Sequence, residues 1–296
     1  MTPILSIIIT VKNQSDPKFK QLLKSIEHQD LPEDRYEIIP VSEGTSESAK
    51  AIGIRKARAP YLLILASDNY LIGSKFLSEG VGILEDGATH TFPMYYYHRW
   101  DDDLLNRYFA MIGGNDPLTL YMRKQDKLPL VNLPYWSDDF TTLGDNGYFI
   151  RKDIILQSDM EHYYHVDNCY DVRDKLFGPV MKSPIWHKTG GKIIPFFIKR
   201  FRYGVANAYT QHRRWHLVNL KDRKDIARLL WFLFASLTIV EPLLISMRGY
   251  RRIPDKAWFL HPMICLLTVL TYTLVTVTIL LRRLFRWSSA QGEGRA

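Results

Sequence analysis

Short apolar runs alternate with helical patterns over the first 70 residues of the chain. Ile4–Val11, Tyr36–Val41 and the apolar start of Tyr61–Tyr70 have the length and composition of buried strands. Between these runs, Lys18–Gln29 and Glu47–Ala57 carry apolar residues mostly at helical spacing. A repeated strand–helix order predicts a parallel sheet with right-handed crossovers. We therefore predict an α/β fold for this part of the chain.

The pattern is less regular beyond this point. It predicts a helix over Ser74–Leu84, a strand over Thr89–Tyr97, an irregular helix over Asp101–Gly114, a polar connection over Asn115–Pro134 and a short strand within Leu143–Ile150. The α/β domain is expected to occupy residues 1–215 and to end in a basic, amphipathic segment over residues 193–215.

Two apolar segments, 229–247 and 257–281, predict a membrane-associated helical region over residues 216–287. A membrane-spanning helix needs roughly 20 mostly apolar residues, and the second segment meets this requirement. The first contains Glu241-Pro242, which is costly within lipid and breaks a helix, so it is expected to lie in the interface or re-enter as readily as to cross. Residues 288–296 form a polar tail that we predict to be disordered.

Composition and charge narrow the class of protein. The chain has 296 residues and two cysteines, too few for a disulfide framework. No basic n-region precedes the first strand, so no signal peptide is expected. The net charge of +8 is concentrated around Lys192–Arg228, which suits nucleic acid or an anionic membrane. The adjacent apolar segments and the absence of a nucleic-acid-binding module favour the membrane.

Polar residues follow each of the first three predicted strands. Ligands of open α/β sheets bind beyond the carboxyl ends of the strands, and a carboxylate there can hold Mg²⁺ or Mn²⁺ against a diphosphate. The alternative for Asp68 is an ordinary Asp-Asn turn. The residues expected to line a nucleotide site in this crevice are Thr10, Val11, Asn13, Glu43, Ser67 and Asp68.

The stretches ILSIIITVKN, SEGTSESA and AIGIRKARAPYLLILASDN resemble, in this order, the N-terminal motifs of the family 2 glycosyltransferases. The resemblance covers about the first 215 residues. It implies a GT-A fold, a Rossmann-like nucleotide-diphospho-sugar transferase domain, followed here by the predicted C-terminal membrane helices. The chain departs from the family at Ser42, where an aspartate is usual, and at Ala66, which replaces the first carboxylate of the metal motif and leaves Asp68.

The resemblance also implies the chemistry and its residues. A sugar would move, with inversion, from a UDP- or GDP-linked donor with the help of Mn²⁺ or Mg²⁺. Asp68 would bind the metal, with the imidazole of His187 as a second ligand. LGDNGYFIRKD resembles the family's acceptor loop, so Asp145, Asn146 and Gly147 are expected to line the donor-sugar or acceptor site.

Two further sets of residues follow from the resemblance. Asp167 stands at the position of the general base, with Asp171 as the second choice, and the alternative for both is a helix-capping or solvated carboxylate. Cationic and aromatic residues suited to the diphosphate are Lys188, Arg200, Arg202 and Tyr203. The last three suit equally a basic helix lying on anionic lipid.

These observations predict an inverting glycosyltransferase at the cytoplasmic face of the cell membrane. Its acceptor would be a polyprenyl phosphate or another lipid-linked molecule. A processive synthase is less favoured, because one or two spans build no channel, although Gln211–Trp215 matches the letters QxxRW. The alternative from another class is a catalytically silent GT-A-like membrane scaffold or partner subunit, which Ser42 and Ala66 favour.

Overall fold

Three parallel strands form the centre of the main sheet. The structure, a computed structural model, describes residues 2–122, 146–208 and 213–292. The central strand β1 (Leu5–Thr10) pairs with β2 (Tyr36–Val41) on one side and β3 (Tyr61–Ala66) on the other, with Leu5 opposite both Tyr36 and Tyr61. Helices α1 (Pro17–Glu27) and α2 (Ser46–Lys56) connect these strands, which confirms the predicted α/β order.

Both faces of this sheet are buried, as the continuous apolar strands require. Successive strand residues point to opposite faces. Ile7 therefore joins the cluster that contains Leu22 of α1, while its neighbour Ile8 joins the cluster that contains Ile54 of α2. A Cβ on Gly53 would lie 2.3 Å from Ile8 Cγ2, so α2 lies too close to the sheet for a larger residue there.

Antiparallel strands extend the sheet and add a second one. Strand β6 (Tyr148–Arg151) pairs with β3, and β5 (His90–Thr91) pairs with β6, which gives the order β2-β1-β3-β6-β5. Directly beyond β3, β4 (Asn69–Leu71) pairs with β7 (Ile185–His187). The prediction of a strand over Thr89–Tyr97 is mostly wrong: beyond Thr91, only Pro93 and Tyr96 form single bridges. Pro93 has no N–H to donate to a ladder.

The remaining helices of the α/β part surround these sheets. They are α3 (Phe76–Glu85), α4 (Leu104–Ile112), α5 (Pro117–Met122), α6 (Lys152–Ile155) and α7 (His165–Asp171). Short 3₁₀ turns cover Glu33–Arg35, Arg173–Lys175 and Lys256–Leu260.

Four helices form the C-terminal part: α8 (Ile193–Asn207), α9 (Arg223–Thr238), α10 (Val240–Arg252) and α11 (His261–Gly292). The predicted apolar segment 229–247 is divided between α9 and α10, which meet at 82°. Within the described residues, the segment Lys256–Arg282 is the single helix long and apolar enough to cross a membrane, and the bent pair could form a second, broken span. Residues 288–292 continue α11 where a disordered tail was predicted, and residues 293–296 lie outside the described part.

The C-terminal helices share a core with the α/β part. Trp258, fully buried, lies in one apolar cluster with Tyr108 and Phe109 of α4, Phe197 of α8 and Ile264 of α11. The predicted domain boundary at residue 215 therefore does not separate two independent cores.

Candidate functional site

The structure brings Asp68 and His187 together at the edge where the parallel strands end. Asp68 lies between β3 and β4, and the ladder of β4 with β7 pairs Asn69 with His187. The distance from Asp68 Oδ1 to His187 Nε2 is 3.7 Å. The N–H of Lys188 donates to the backbone oxygen of Asp68 at 2.9 Å, which fixes the segment after β7 against the turn that carries the carboxylate.

A chain of side-chain hydrogen bonds positions this pair. The Asn69 side-chain oxygen accepts from the N–H of Ala66 at 3.0 Å, and Asn69 Nδ2 donates to Asn146 Oδ1 at 3.1 Å. Asn146 Nδ2 in turn donates to the hydroxyl of Tyr96 at 2.8 Å, and the Tyr96 ring lies 5.2 Å from that of His187. Asn146, predicted for the donor-sugar or acceptor site, is therefore part of the same cluster as the predicted metal ligands.

Gly147 occupies a position that only glycine fills easily. Its φ is +84°, and an added Cβ would lie 2.9 Å from Ile185 and 3.0 Å from Phe76. Its N–H donates to the backbone oxygen of Ile64 at 3.2 Å, so Asn146 sits at the end of β3. Asp145, predicted for the same site, lies outside the described residues.

The charge of Asp68 acts on its buried neighbour Tyr70. Burial is the first cause that raises the pKa of the Tyr70 hydroxyl to about 12, and the negative charge of Asp68 is the second. The Asp68 side chain remains 21% exposed and that of His187 remains 9% exposed. A cation bound at this place would offset the negative charge, and an entering ligand can reach it.

Trp186 is anchored beside His187 by residues that the sequence reasoning missed. Its indole N–H donates to Asp102 Oδ2 at 2.7 Å, and Asp102 Oδ1 accepts from Asn106 Nδ2 at 3.0 Å. Two cations lie over the indole ring, Arg99 at 4.2 Å and Lys188 at 5.3 Å. Lys188, predicted to contact the diphosphate, is therefore close to Asp68 and His187.

Oxygen and imidazole nitrogen donors are those that Mn²⁺ accepts, and Mg²⁺ commonly takes one or two carboxylates with substrate phosphates and water. Asp68 and His187 fit such a cation as a partial ligand set, completed by a diphosphate. Among the described residues, no group of three or more His, Cys, Asp and Glu side chains is close enough to bind a metal without such help.

The remaining predicted donor-nucleotide residues lie around the same strand ends. Thr10 is in register with Val41 and Ala66, and Val11 donates its N–H to Val41 at 3.0 Å. Asn13 accepts from the N–H of Ser15, and Ser67 directly precedes Asp68. Glu43 is exposed, with Lys56 at 3.8 Å. Their contact with a nucleotide stays a prediction.

Asp167 lies in a buried ion pair. Its carboxylate has no exposed surface and accepts from Arg213 Nε at 3.0 Å and from the N–H groups of Arg214 and Trp215 at 3.1 Å each. Both carboxylate oxygens are occupied by these bonds, and the role of Asp167 as general base stays a prediction. Asp171, the second choice, accepts from Arg214 Nε at 2.8 Å.

Three of the residues predicted for the diphosphate lie on α8. Arg200 donates to the backbone oxygen of Asn115 at 2.7 Å and to Asp116 at 2.8 Å, and Asp116 also accepts from the hydroxyl of Tyr272. Tyr203 and Arg202 are exposed. Arg200 therefore lies against α11, and the contact of these three residues with a diphosphate stays a prediction.

The structure brings the predicted residues Asp68, Asn146 and His187 together, but the residues that hold them in place were not predicted. Asn69 could have been predicted from the sequence, since it directly follows Asp68 at a strand end. Tyr96 was hidden within an aromatic run that suggested a strand. The roles of Asp102 and Asn106 depend on contacts with residues 84 positions away, for which the sequence carries no local signal.

Comparisons with known proteins give distant similarities only. No family model and no curated protein matches the chain. A mannosyltransferase of Pyrobaculum calidifontis, solved with GDP-Man and Mn²⁺, is 11% identical over 92% of this chain and 88% of its own, with a TM-score of 0.46. TarS 1–349 of S. aureus is 12% identical over 92% of this chain and 89% of its own, with a TM-score of 0.42. At these values the similarities establish neither a family nor a function.

Proposed function

We propose that the chain is an inverting glycosyltransferase with a GT-A-type domain that uses a UDP- or GDP-linked sugar donor. The observation that carries the proposal is the Asp68–His187 pair, 3.7 Å apart at the carboxyl edge of the parallel strands. This is the edge at which open α/β sheets bind nucleotides. The order of the sequence motifs that resemble the family 2 glycosyltransferases supports the same assignment.

Each residue of the cluster has a task in this reaction. A bound Mn²⁺ or Mg²⁺ supplies charge neutralisation for the leaving diphosphate. Asp68 and His187 would hold it, and the backbone N–H of Lys188 fixes the Asp68 turn. The hydrogen bonds from Asn69 to Asn146 and from Asn146 to Tyr96 fix the side chains that line the crevice. Asn146 and Gly147 border the space for the sugar.

The nucleotide would lie over the ends of β1 and β2. Thr10, Val11 and Asn13 border the first strand end, and Ser67 the third. Glu43, exposed in the turn after β2, can accept a hydrogen bond from the N–H edge of uracil or guanine. None of these residues distinguishes uracil from guanine, so the test uses both UDP- and GDP-sugars.

We further propose that α8–α11 hold this domain at the cytoplasmic face of the cell membrane, where the acceptor is a lipid-linked molecule. The support is the length and apolar composition of Lys256–Arg282 and the many exposed apolar side chains of α9–α11, since large exposed apolar surfaces mark sites of interaction with membranes or proteins. The most exposed of these side chains include Leu230, Trp231, Phe234, Leu237, Val240 and Leu274. The alternative, a catalytically silent membrane scaffold, is favoured by Ala66, which leaves Asp68 as the one carboxylate of the motif.

The test is a thermal-shift screen of the full chain in detergent with UDP- and GDP-sugars, with and without Mn²⁺. A ligand that binds the folded state raises its melting temperature. We expect one nucleotide class to stabilise the protein in a Mn²⁺-dependent manner, and Asp68→Asn to abolish the Mn²⁺-dependent part. Asp174→Asn is the matched control, since Asp174 is exposed with a long 4.0 Å ion pair. No stabilisation by either class would exclude the enzyme and favour the scaffold.

A further inference from the structure

The long helix α11 has one side packed on the protein and one open, apolar side. The packed side includes Ile264, Cys265 and Thr268, which are fully buried. The side chains of the open side are at least 40% exposed, and they are Met263, Leu270, Leu274, Val277 and Leu281. Their spacings of seven, four, three and four residues keep them on a single face of the helix. The apolar stripe therefore runs along most of α11, from its first turn towards Arg282.

Helix α8 covers the packed side of α11 and brings charges to it. Near the start of α8, Phe197 shares an apolar cluster with Ile264. Further along, the Arg200 guanidinium lies 5.8 Å from the centre of the Tyr272 ring. Arg200 donates to Asp116 at 2.8 Å, and Asp116 also accepts from the Tyr272 hydroxyl. An ion pair is therefore fixed at the level of Tyr272.

This ion pair is incompatible with a bilayer crossing that begins at the first residue of α11. Tyr272 is the eleventh residue after that start, which corresponds to about 16 Å along the helix. The hydrocarbon core of a bilayer is about 30 Å thick. The pair of Arg200 and Asp116 would lie near the middle of that core. The exposed side chains of Lys199 and Arg202 on α8 would lie there as well, where a charge is costly.

The part of α11 beyond the ion pair is too short to cross by itself. Residues 273–281 separate Tyr272 from Arg282. They rise about 14 Å, which is roughly half of the hydrocarbon core. Helix α11 is long and apolar enough to cross as an isolated helix, but its packing on the α/β part leaves only this shorter length free.

Helices α9 and α10 pack around the start of α11 and do not extend away from it. Phe232 of α9 lies in one cluster with Cys265, and a Cβ on Gly249 of α10 would lie 2.4 Å from Trp258. The 82° bend between α9 and α10 prevents them from forming one straight span. Their outward sides are apolar as well, as at Trp231, Phe234, Leu243 and Met247.

The exposed charges around these apolar faces are all positive. Residues 223–282 contain three carboxylates: Asp225 and Asp255 are buried, and Glu241 is partly buried and accepts from Tyr121. The exposed cations of this range include Arg223, Lys224, Arg248, Arg251, Arg252 and Arg282. Anionic lipid head groups attract such a set, whereas a second copy of the same surface would be repelled by it.

We propose that the chain attaches to one leaflet of an anionic bilayer through the outward faces of α9, α10 and α11, and that none of these helices crosses to the other leaflet. This inference rests on the membrane association proposed above and is independent of sugar transfer. The apolar side chains enter the boundary between head groups and acyl chains, and the cations contact the head groups.

The test for crossing places a cysteine at one of three positions of the full chain: Gln21→Cys on α1, Pro254→Cys after α10 and Gly294→Cys after α11. The native Cys169 and Cys265 are buried, so the wild type gives the background. A membrane-impermeant maleimide is added to inverted membrane vesicles of expressing cells, whose outer face is cytoplasmic, and to the same vesicles opened with detergent. We expect every position to be labelled to the same extent with and without detergent.

Each crossing topology has a different labelling pattern. Protection of Gly294→Cys alone, removed by detergent, would show that α11 crosses and would overturn the proposal. Protection of Pro254→Cys alone would show that α9–α10 and α11 cross as a pair, which overturns it equally. Protection of all three positions would support attachment to one leaflet but would contradict the proposed cytoplasmic location.

The test for the lipid measures flotation of the full chain with vesicles of phosphatidylcholine, alone or mixed with phosphatidylglycerol. Each cation near an anionic surface contributes about fivefold in affinity. The double variant Arg251→Gln/Arg252→Gln should therefore bind the mixed vesicles roughly 25-fold more weakly. The matched control is Lys20→Gln/Lys24→Gln, two exposed lysines of α1, which should bind as the wild type does.

Equal binding of the wild type to both kinds of vesicle, or equal losses in variant and control, would overturn the anionic leaflet as the partner. A stable dimer in detergent that Trp231→Lys dissociates would assign the surface to a second copy of the chain. The thermal-shift screen separates this inference from the proposed transferase. If nucleotides bind and a helix crosses, this inference fails alone. If no nucleotide binds and the attachment behaves as expected, the transferase function fails alone.

Discussion

At the level of single residues, Asp68 and Asp167 are each followed by an asparagine in the sequence but have very different surroundings in the structure. Asp68 is partly exposed beside one histidine, while Asp167 is fully buried and held by one arginine side chain and two backbone N–H groups. Breaking a buried pair leaves an uncompensated charge, which costs more than the pair contributes. Asp167 is therefore expected to stabilise the segment Arg213–Trp215, and Asp68 to act on a ligand.

Asp167→Asn tests this distinction. We expect it to lower the free energy of unfolding by roughly 3 kcal/mol, since Arg213 loses a buried partner. Turnover, measured at a temperature where the variant is folded, should fall less than about tenfold. Asp171→Asn is the milder comparison, because the Asp171 side chain is partly exposed. A variant as stable as the wild type, with turnover lower by about 10² or more, would support the role of Asp167 as general base.

His90 is a second residue whose burial has a measurable consequence. It lies beside Phe92 and Tyr148, and burial lowers the pKa of its imidazole to about 4. The unfolded chain binds a proton near pH 6.5, and the folded chain does so only at lower pH. This contribution to stability is therefore complete above pH 6.5 and is lost as the pH falls from 6.5 towards 4.

We expect the melting temperature of the protein in detergent to fall over this pH range. The lowered pKa of His90 corresponds to a loss of unfolding free energy on the order of 3 kcal/mol at pH 4. About half of this loss occurs as the pH falls from 6.5 to 5. His90→Phe should flatten the upper part of the curve, where carboxylates have not begun to titrate. An unchanged slope between pH 6.5 and 5 would mean that the imidazole is already protonated in the folded protein.

At the level of secondary-structure elements, the bend between α9 and α10 has an identifiable cause. Ile239 has a φ of +62°, and it is the single non-glycine residue with a positive φ in the described part of the chain. A β-branched side chain in this conformation costs about 1–2 kcal/mol. The strain persists because the packing of both helices fixes the turn.

Ile239→Gly should relieve this strain and raise the stability by about 1 kcal/mol, read as a higher melting temperature in detergent. Leu244→Gly, inside α10 and as exposed as Ile239, is the matched control. It should lower the stability by a similar amount, because glycine in a helix interior is a poor helix former. Destabilisation by both variants would show that the positive φ at Ile239 does not persist in solution.

The features of the fold that depend on local sequence could be predicted, and those that depend on contacts between distant residues could not. The strand–helix order is a local signal, so β1–β3 were predicted correctly. The polar strand ends are local as well, and the structure places Asp68 and Asn146 together there, while their roles stay predictions. The burial of Asp167 depends on Arg213, 46 residues away, and no local pattern indicates it. Glu241, predicted to be costly in an apolar segment, accepts a hydrogen bond from Tyr121, 120 residues away. The bend at Ile239 has no glycine to mark it, but Pro242, three residues further on, predicted a break in this segment.

At the level of the whole molecule, the apolar C-terminal helices and the crevice belong to one packed unit. Asp255, just before the start of α11, binds His98 Nε2 at 2.8 Å and lies 3.2 Å from Arg107 Nε. Trp258 packs on Tyr108 of α4 in the shared core. Helix α4 therefore connects the beginning of the long apolar helix to the residues beside His187.

In the membrane association proposed above, this connection would set the distance between the crevice and the bilayer. Asp102, just before α4, holds Trp186, and α4 itself carries Arg107, which lies against Asp255. A change in the depth of the apolar helices in the lipid would then move the crevice together with them. Under the proposed transferase function, how far an acceptor's head group stands out of the lipid would decide whether it is glycosylated.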